Sequence, residues 1–415
     1  MPTSRTSRAF AAAVIGTDRP AEKRGKDGDM EFQGYRRPDG QVGTRNYVGV
    51  ISTVVCSNEV AEEIARQVDG AVSFTHHQGC CQTPVDIQRV NDVLIGLGSN
   101  PNLASVLLVS LGCESTAVDD VVEGIRKTGK RVEVIGLQET GGAARTRAEG
   151  TLIVQNMVAE ASGIKRETCG PGDIVLGMKC GSSDTTQGLS ATPAIGVASD
   201  RIVEAGGTTI LGEITEFIGA EHIVARHAAT PEIGEQILAL VERMENRAKA
   251  VGCDMRGGQP TGGNIKGGLT TIEEKSLGAI AKGGTAPIQA VYEYGERPTV
   301  KGLVVMDSPG REPEILTGLA AAGCNLIAFA TGRGAPQGFP FVPVVKLTGN
   351  ALTWERMRDH MDMTVASVIE GTESLPEAGE RLVRTLLDVA SGTRTRSEIT
   401  GYTRAMDIYV MGPVL

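Results

Sequence analysis

The sequence predicts an α/β protein: parallel sheets with helices on both faces, in two or three α/β domains. Three observations predict it. Short β-branched runs alternate with amphipathic stretches from Tyr47 onward. Glycine-bearing turns separate them, and the chain has 54 glycines. At 415 residues the chain exceeds one ordinary core.

The elements follow in order. "YVGVISTVV" from Tyr47 is a buried strand, and "SNEVAEEIARQV" is an amphipathic helix capped at Ser57. "AVSFT" is a second strand, with a helix over Ile87 to Leu97. "SVLLVSLG" is a third strand, followed by the helix "DDVVEGIRKTG" ending at Gly129. "RVEVIGL" and "AEGTLIVQNMVAEASG" repeat the pattern. This β-α rhythm implies right-handed crossovers between parallel strands. The break "CGPGD", Cys169 to Asp173, marks a domain boundary. Beyond it come the strand "DIVLGMK", the helix "PAIGVASDRIVEAG", the strand "GTTILGE" and a long helix over Pro231 to Val251. A Gly-rich loop from Gly257 runs into a helix start, and "VKGLVVMD" and "NLIAFATG" are later strands. The division is therefore a disordered arm over 1–30, a first α/β domain over 31–168 and a larger one over 169–415. A further cut near 300 is left open. The N-terminal apolar patch is too short for a convincing targeting signal.

Composition excludes several classes. The net charge is −9 with no basic run, so nucleic acid and anionic membranes are poor partners. Aromatics make up 3%, which argues against base-stacking folds. No apolar run approaches the roughly 20 residues of a membrane span. A cytoplasmic setting follows, and there the eight cysteines are thiols, ligands or buried small residues rather than disulfides.

Reactive residue types collect just after strands: Cys56, then His76-His77-Gln78-Gly79-Cys80-Cys81, then Cys113-Glu114. Cys180-Gly181-Ser182-Ser183-Asp184, Glu213 with Glu216, Asp307 and Arg333 continue the series. Open parallel sheets bind ligands beyond the carboxyl ends of their strands. The bland readings stand beside this one. Cys56 and Cys113 also suit tight helix packing. Cys169, Cys253 and Cys324 read as structural, and His222 and His227 as surface. Asp184 also suits a helix cap, and Glu213 with Glu216 a solvated loop. Paired Cys-x₂-Cys and His-Glu-x-x-His spacings are absent, as is a P-loop. Mixed His, Cys and carboxylate ligands from separate loops suit iron or a similar ion with open positions.

Eight short runs in order resemble one family, the altronate/galactarate dehydratases of large-subunit type. They are "RRPDGQVGTRN", "THHQGC", "LGCE", "CGSSD", "EITEFIGAEH", "GGLTTIEEKSLG", "MDSPG" and "ATGRG", and they cover nearly everything after about residue 31. The sulfolactate sulfo-lyase large subunit looks similar. The resemblance implies an iron-dependent sugar-acid dehydratase giving a 2-keto-3-deoxy acid; the alternatives are a sulfolactate sulfo-lyase large subunit releasing sulfite, or a non-catalytic sugar-acid binding subunit. Single-chain members of the family carry a small β-rich domain at the N-terminus. Here a polar arm stands in its place, so a separate small β-rich subunit is an expected partner, alongside a homo-oligomer and a small sugar acid. His77 and Cys81 are additions to the shared loop.

Dehydration needs a base for the proton alpha to the carboxylate, an acid for the leaving hydroxyl and stabilisation of an enediolate. Residue type and position nominate His76, Glu114, Glu213, Glu216 and Lys275 for proton transfer. Arg45 and Arg333 are nominated for the carboxylate; Thr44, Asn46, Ser182, Ser183 and Asp184 for the hydroxyls. His76, Cys80, Cys113 and Cys180 are candidate ligands to a single Fe2+ or an iron–sulfur cluster. His76 is also the candidate acid that separates dehydration from sulfite release.

Overall fold

The computed structural model describes residues 30–413 and 415. The arm expected over residues 1–30 falls, all but Met30, outside them. Fourteen strands are described. β1 (Phe32–Arg36) and β2 (Val42–Gly43) precede β3 (Tyr47–Ser52), β4 (Ala71–Phe74), β5 (Leu103–Ser110) and β6 (Arg131–Gly136). β7 (Glu167–Cys169) leads to β8 (Val175–Gly181), β9 (Thr208–Leu211), β10 (Ile288–Tyr292) and β11 (Gly302–Met306). β12 (Leu326–Thr331), β13 (Val344–Thr348) and β14 (Met363–Thr364) complete the set.

β3 to β6 form a four-stranded sheet in the order β4-β3-β5-β6. β8 to β14 form a seven-stranded sheet in the order β10-β11-β9-β8-β12-β13-β14. Every pair in both sheets is parallel, as the alternating rhythm predicts. A small antiparallel sheet, β2-β1-β7, stands apart. Residue 300 lies in the connection between β10 and β11, two paired strands of the larger sheet.

Burial explains the strand composition. β5 buries seven of its eight residues and β12 all six, so their apolar runs are continuous rather than alternating. One apolar cluster includes Ile51, Phe74 and Val106 of the smaller sheet with Val304, Ile327 and Phe329 of the larger. Helices Pro84–Ser99 and Glu312–Ala321 pack within that cluster. A Cβ on Gly96 would lie 2.6 Å from the Ala321 carbonyl, so glycine permits this approach. The expected cap at Ser57 does not form: its hydroxyl donates to the carbonyls of Val54 (2.9 Å) and Val109 (2.7 Å). Among the described residues no helix is long and apolar enough to cross a membrane.

Candidate active site

Chain order identifies two crevices. β8 leads to β9 on one side and β12 leads to β13 on the other, so the direction of winding reverses between β8 and β12. In the smaller sheet it reverses between β3 and β5. Ligands of open α/β sheets sit at such points, outside the carboxyl ends of the strands. Among the described residues three non-glycine residues adopt left-handed backbone: Cys81 (φ 52°), Ser182 (φ 48°) and Glu213 (φ 67°). Each follows a strand at a carboxyl end, where strained backbone often marks a functional site.

At the β8–β12 crevice, Ser182 is exposed and its carbonyl accepts from the Arg333 amide at 3.0 Å. Arg333 is exposed too, and its Nη1 donates to the Gly263 carbonyl (2.9 Å). A Cβ on Gly332 would lie 2.3 Å from Asp184, so the two loops touch through glycine. Asp184 acts as the cap weighed from sequence. Its Oδ1 accepts from the Gln187 amide (2.9 Å) and the Thr186 hydroxyl (2.7 Å), and its Oδ2 from Asn350 (2.8 Å). A cavity of about 320 Å³ opens beside it, with Ser183, Leu269 and Lys275 in its wall. Lys275 Nζ donates to both oxygens of Glu216, at 2.7 and 2.8 Å. That pair is largely shielded, with side-chain exposures of 10% and 12%.

A fully buried ionic cluster lies at the same sheet edge. Glu213 is held between Lys179 (2.6 Å) and Lys282 (3.1 Å), and its Oε2 accepts from the Cys180 amide (2.9 Å). Burial opposes the charge on Glu213, yet Lys179 and Lys282 outweigh it and hold the carboxyl below its usual range. Lys282 stays above the usual lysine range, since Cys180 and Glu213 beside it overcome the cost of burial. Burial pushes the Cys180 thiol up to about 12, so it stays protonated. Glu213 is therefore a counter-ion sealed from the cavity, and Cys180 a thiol beneath the Lys282 ammonium at 3.4 Å. Sequence reasoning missed Lys179 and Lys282. Lys179 had a signal, a lysine closing an otherwise apolar strand run.

The edge of the smaller sheet holds the other nominees. His76 is fully buried, its Nδ1 accepts from the Gln78 amide (3.1 Å), and its Nε2–H therefore donates to the Ser52 carbonyl at 2.9 Å. Burial lowers its pKa to about 4. Both ring nitrogens are engaged, which corrects its reading as acid or ligand. Glu114 is likewise occupied, accepting from the Thr53 hydroxyl (2.7 Å) and the Leu111 (3.3 Å) and Gly112 (2.6 Å) amides. Burial pushes its carboxyl up, but these bonds win and it lies below the usual range. Cys80 meets Cys81 at 3.6 Å, and the Cys113 thiol accepts from Gln138 at 3.4 Å.

Among the described residues no three His, Cys, Asp or Glu side chains are arranged to hold a metal ion. With His76 bonded at both ring nitrogens and Cys180 enclosed against Lys282, the set His76, Cys80, Cys113 and Cys180 is not assembled into a metal site among the described residues. Thr44, Arg45 and Asn46 also need correction, because they precede β3 and so lie at the opposite, amino end of the strands. Arg45 pairs with Glu398 (2.8 and 2.9 Å) and donates to the carbonyls of Thr44, Val389 and Thr393. Thr44 Oγ1 donates to Asn325 O (2.9 Å), and Asn46 joins Arg37 to Ala161. Their donors and acceptors serve the fold.

Parallel sheets, a switch-point crevice and a shielded lysine–carboxylate pair define an α/β protein with a candidate ligand site at the strand ends. The comparisons with known proteins narrow it. Residues 172–412 match the family model described as D-galactarate/Altronate dehydratase, C-terminal. Residues 34–162 match that of D-galactarate dehydratase/Altronate hydrolase, second domain. The chain is 39% identical to the (2R)-sulfolactate sulfo-lyase subunit beta of Chromohalobacter salexigens, over 89% of this chain and 95% of that one. It is 31% identical to the altronate dehydratase of Escherichia coli, over 93% and 79% of the two chains. It is 32% identical to that organism's galactarate dehydratase (L-threo-forming), over 92% and 77%. The chain is an enzyme of the D-galactarate/altronate dehydratase family, whose altronate and galactarate dehydratases are hydro-lyases.

Proposed function

We propose that the chain catalyses β-elimination of water from a sugar acid of altronate or galactarate type, in the crevice between β8 and β12. The observation that carries this is the Lys275–Glu216 pair with Lys275 in the cavity wall. The pair takes the proton alpha to the carboxylate. The freed electron pair forms the C2–C3 double bond as the C3–O bond breaks, and the pair returns a proton so that hydroxide leaves as water. The resulting enol tautomerises to a 2-keto-3-deoxy acid. Arg333 suits the substrate carboxylate through its planar fork, and Ser182 and Ser183 suit the hydroxyls. Lys179 and Lys282 share the one carboxylate of Glu213 beside a neutral thiol. Their field favours the negative charge that develops on the enediolate.

A second reading has its own support, in the 39% identity over 95% of a sulfo-lyase subunit. Sulfite leaves without a proton donor, and His76 is not available as one. That relative's name as a subunit also supports a separate small partner for this chain. The test measures keto-acid release from altronate and galactarate against sulfite release from (2R)-sulfolactate, with the purified chain alone and with added partner. Keto acid from either sugar acid, lost in Lys275→Ala, is the expected result. Sulfite release with neither sugar acid consumed overturns the dehydratase reading.

A further inference from the structure

Four of the five accessible thiols lie on the carboxyl edge of the smaller sheet: Cys56, Cys80, Cys81 and Cys113, with Cys253 elsewhere. The elimination proposed above uses none of them. Three loops carry them and are tied together. Val55 N donates to Gln78 O (3.0 Å), Ser115 N to Gly79 O (2.9 Å), and Thr116 Oγ1 to Thr53 O (2.8 Å). Among the described residues, Cys80 and Cys81 are the two thiols that meet, with their Sγ atoms 3.6 Å apart.

That meeting is built into the loop. Cys81 has φ 52°, a conformation an L residue adopts at a cost. The segment is pinned on both sides of the pair. Gly79 N donates to Gln82 Oε1 (2.8 Å), and Gln82 Nε2 to Gln78 Oε1 (2.9 Å). The Cys81 carbonyl accepts from Leu415 N (2.8 Å). Both thiols are open to reagents, Cys81 exposed and Cys80 half-buried.

We propose that Cys80 and Cys81 form a thiol–disulfide exchange site for low-molecular-weight disulfides, closing reversibly into a bond between neighbouring residues. One thiolate attacks the incoming disulfide, forms a mixed disulfide and expels one small thiolate. The second thiol loses its proton, attacks the sulfur of the first and expels the other small thiolate. Two protein thiols are oxidised, and one small disulfide is reduced to two small thiols, taking up the two protons. The second thiol needs no search, since it already stands beside the first. Exposed disulfides are the labile kind, so the closed form reopens readily.

The test treats the whole protein with excess glutathione disulfide, quenches with acid and maps peptides by mass. The expected wild-type peptide bearing Cys80 and Cys81 has lost two hydrogens and carries no glutathionyl group; dithiothreitol restores it. Cys81→Ser lacks the resolving thiol and accumulates glutathionyl on Cys80, whereas Cys113→Ser behaves as wild type. A wild-type peptide that keeps a glutathionyl group, or is unchanged, overturns the proposal. So does a disulfide joining Cys80 or Cys81 to Cys56 or Cys113.

Discussion

Replacing Glu213 with Gln removes the counter-ion of two buried ammoniums and leaves the side-chain shape nearly unchanged. At an effective dielectric of about 20, the 2.6 Å contact with Lys179 is worth roughly 6 kcal/mol and the 3.1 Å contact with Lys282 roughly 5. Much of that is offset, because the variant no longer has to desolvate a carboxylate. Breaking a buried pair by deleting one partner costs about 3–5 kcal/mol, and that is the expected loss at pH 7. The unit of residues 31–415 has 415 − 30 = 385 residues. At about 2.1 cal/mol/K of unfolding entropy per residue it has ~0.8 kcal/mol/K, so the melting temperature should fall by about 4–6 °C. The pH dependence has a definite sign. The folded pKa of Glu213 is depressed, so its contribution is present above the ordinary carboxyl value of 4.5 and is lost as pH falls through the lower folded value. Wild type and variant should therefore differ most near neutral pH and converge in acid. Thermal and urea unfolding of both proteins at several pH values measures this. A melting point at pH 7 within about 1 °C of wild type would refute the counter-ion role.

Three further outcomes follow. Lys275→Ala, and less severely Glu216→Gln, should lower turnover by roughly 10²–10⁴-fold, the usual cost of a lost acid–base group; steady-state kinetics beside a melting curve separates this from unfolding. Arg45→Met should destabilise the fold by about 3 kcal/mol through loss of the Glu398 pair while leaving KM unchanged, and a raised KM at unchanged stability would return Arg45 to substrate binding. His76, lowered to about 4 from 6.5 by burial, contributes stability above pH 6.5 that is lost as pH falls toward 4. That amounts to on the order of 3 kcal/mol, and its ring resonances in NMR should stay those of neutral imidazole down to about pH 5.

The long apolar runs were legible because burial on both faces leaves no polar residue to interrupt them. β3, β5, β8, β11 and β12 all read directly from their β-branched content. β13 was not read, since Lys346 and the preceding prolines break its pattern. Lys346 is nonetheless buried, its Nζ donating to the Pro336 (2.6 Å) and Gln337 (3.3 Å) carbonyls. At the site, the rule that chemistry follows strands nominates Ser182, Glu216 and Arg333, whereas Lys275, on the helix Ile272–Ile280, comes from the run "GGLTTIEEKSLG". The rule could not tell a cap from a ligand at Asp184, because both need the same oxygen at the same place. It also could not see that Arg45 belongs to the opposite edge. A motif records order along the chain and is silent about which end of a strand it adjoins. Lys282 gave no signal at all, since its partners Glu213 and Cys180 lie far from it in sequence.

At the amino ends of the strands, two asparagine amides join the sheets. Asn102 Nδ2 donates to the carbonyls of Asn325 (3.1 Å) and Phe341 (2.9 Å), and Asn325 Nδ2 to those of Val42 (2.9 Å) and Asp173 (3.0 Å). Thr44 adds a hydroxyl to the same carbonyl of Asn325. Fully bonded buried amides of this kind resist sliding, because any shift strands several donors at once. The back of the molecule is thus a fixed chassis, and the loops at the front can lengthen, shorten or exchange side chains without unsettling it. A scaffold built this way can hand one elimination chemistry from leaving group to leaving group by redrafting its loops alone. Substitutions that separate dehydrating from desulfonating relatives should therefore gather on the carboxyl side of the strands and spare the asparagine bolts.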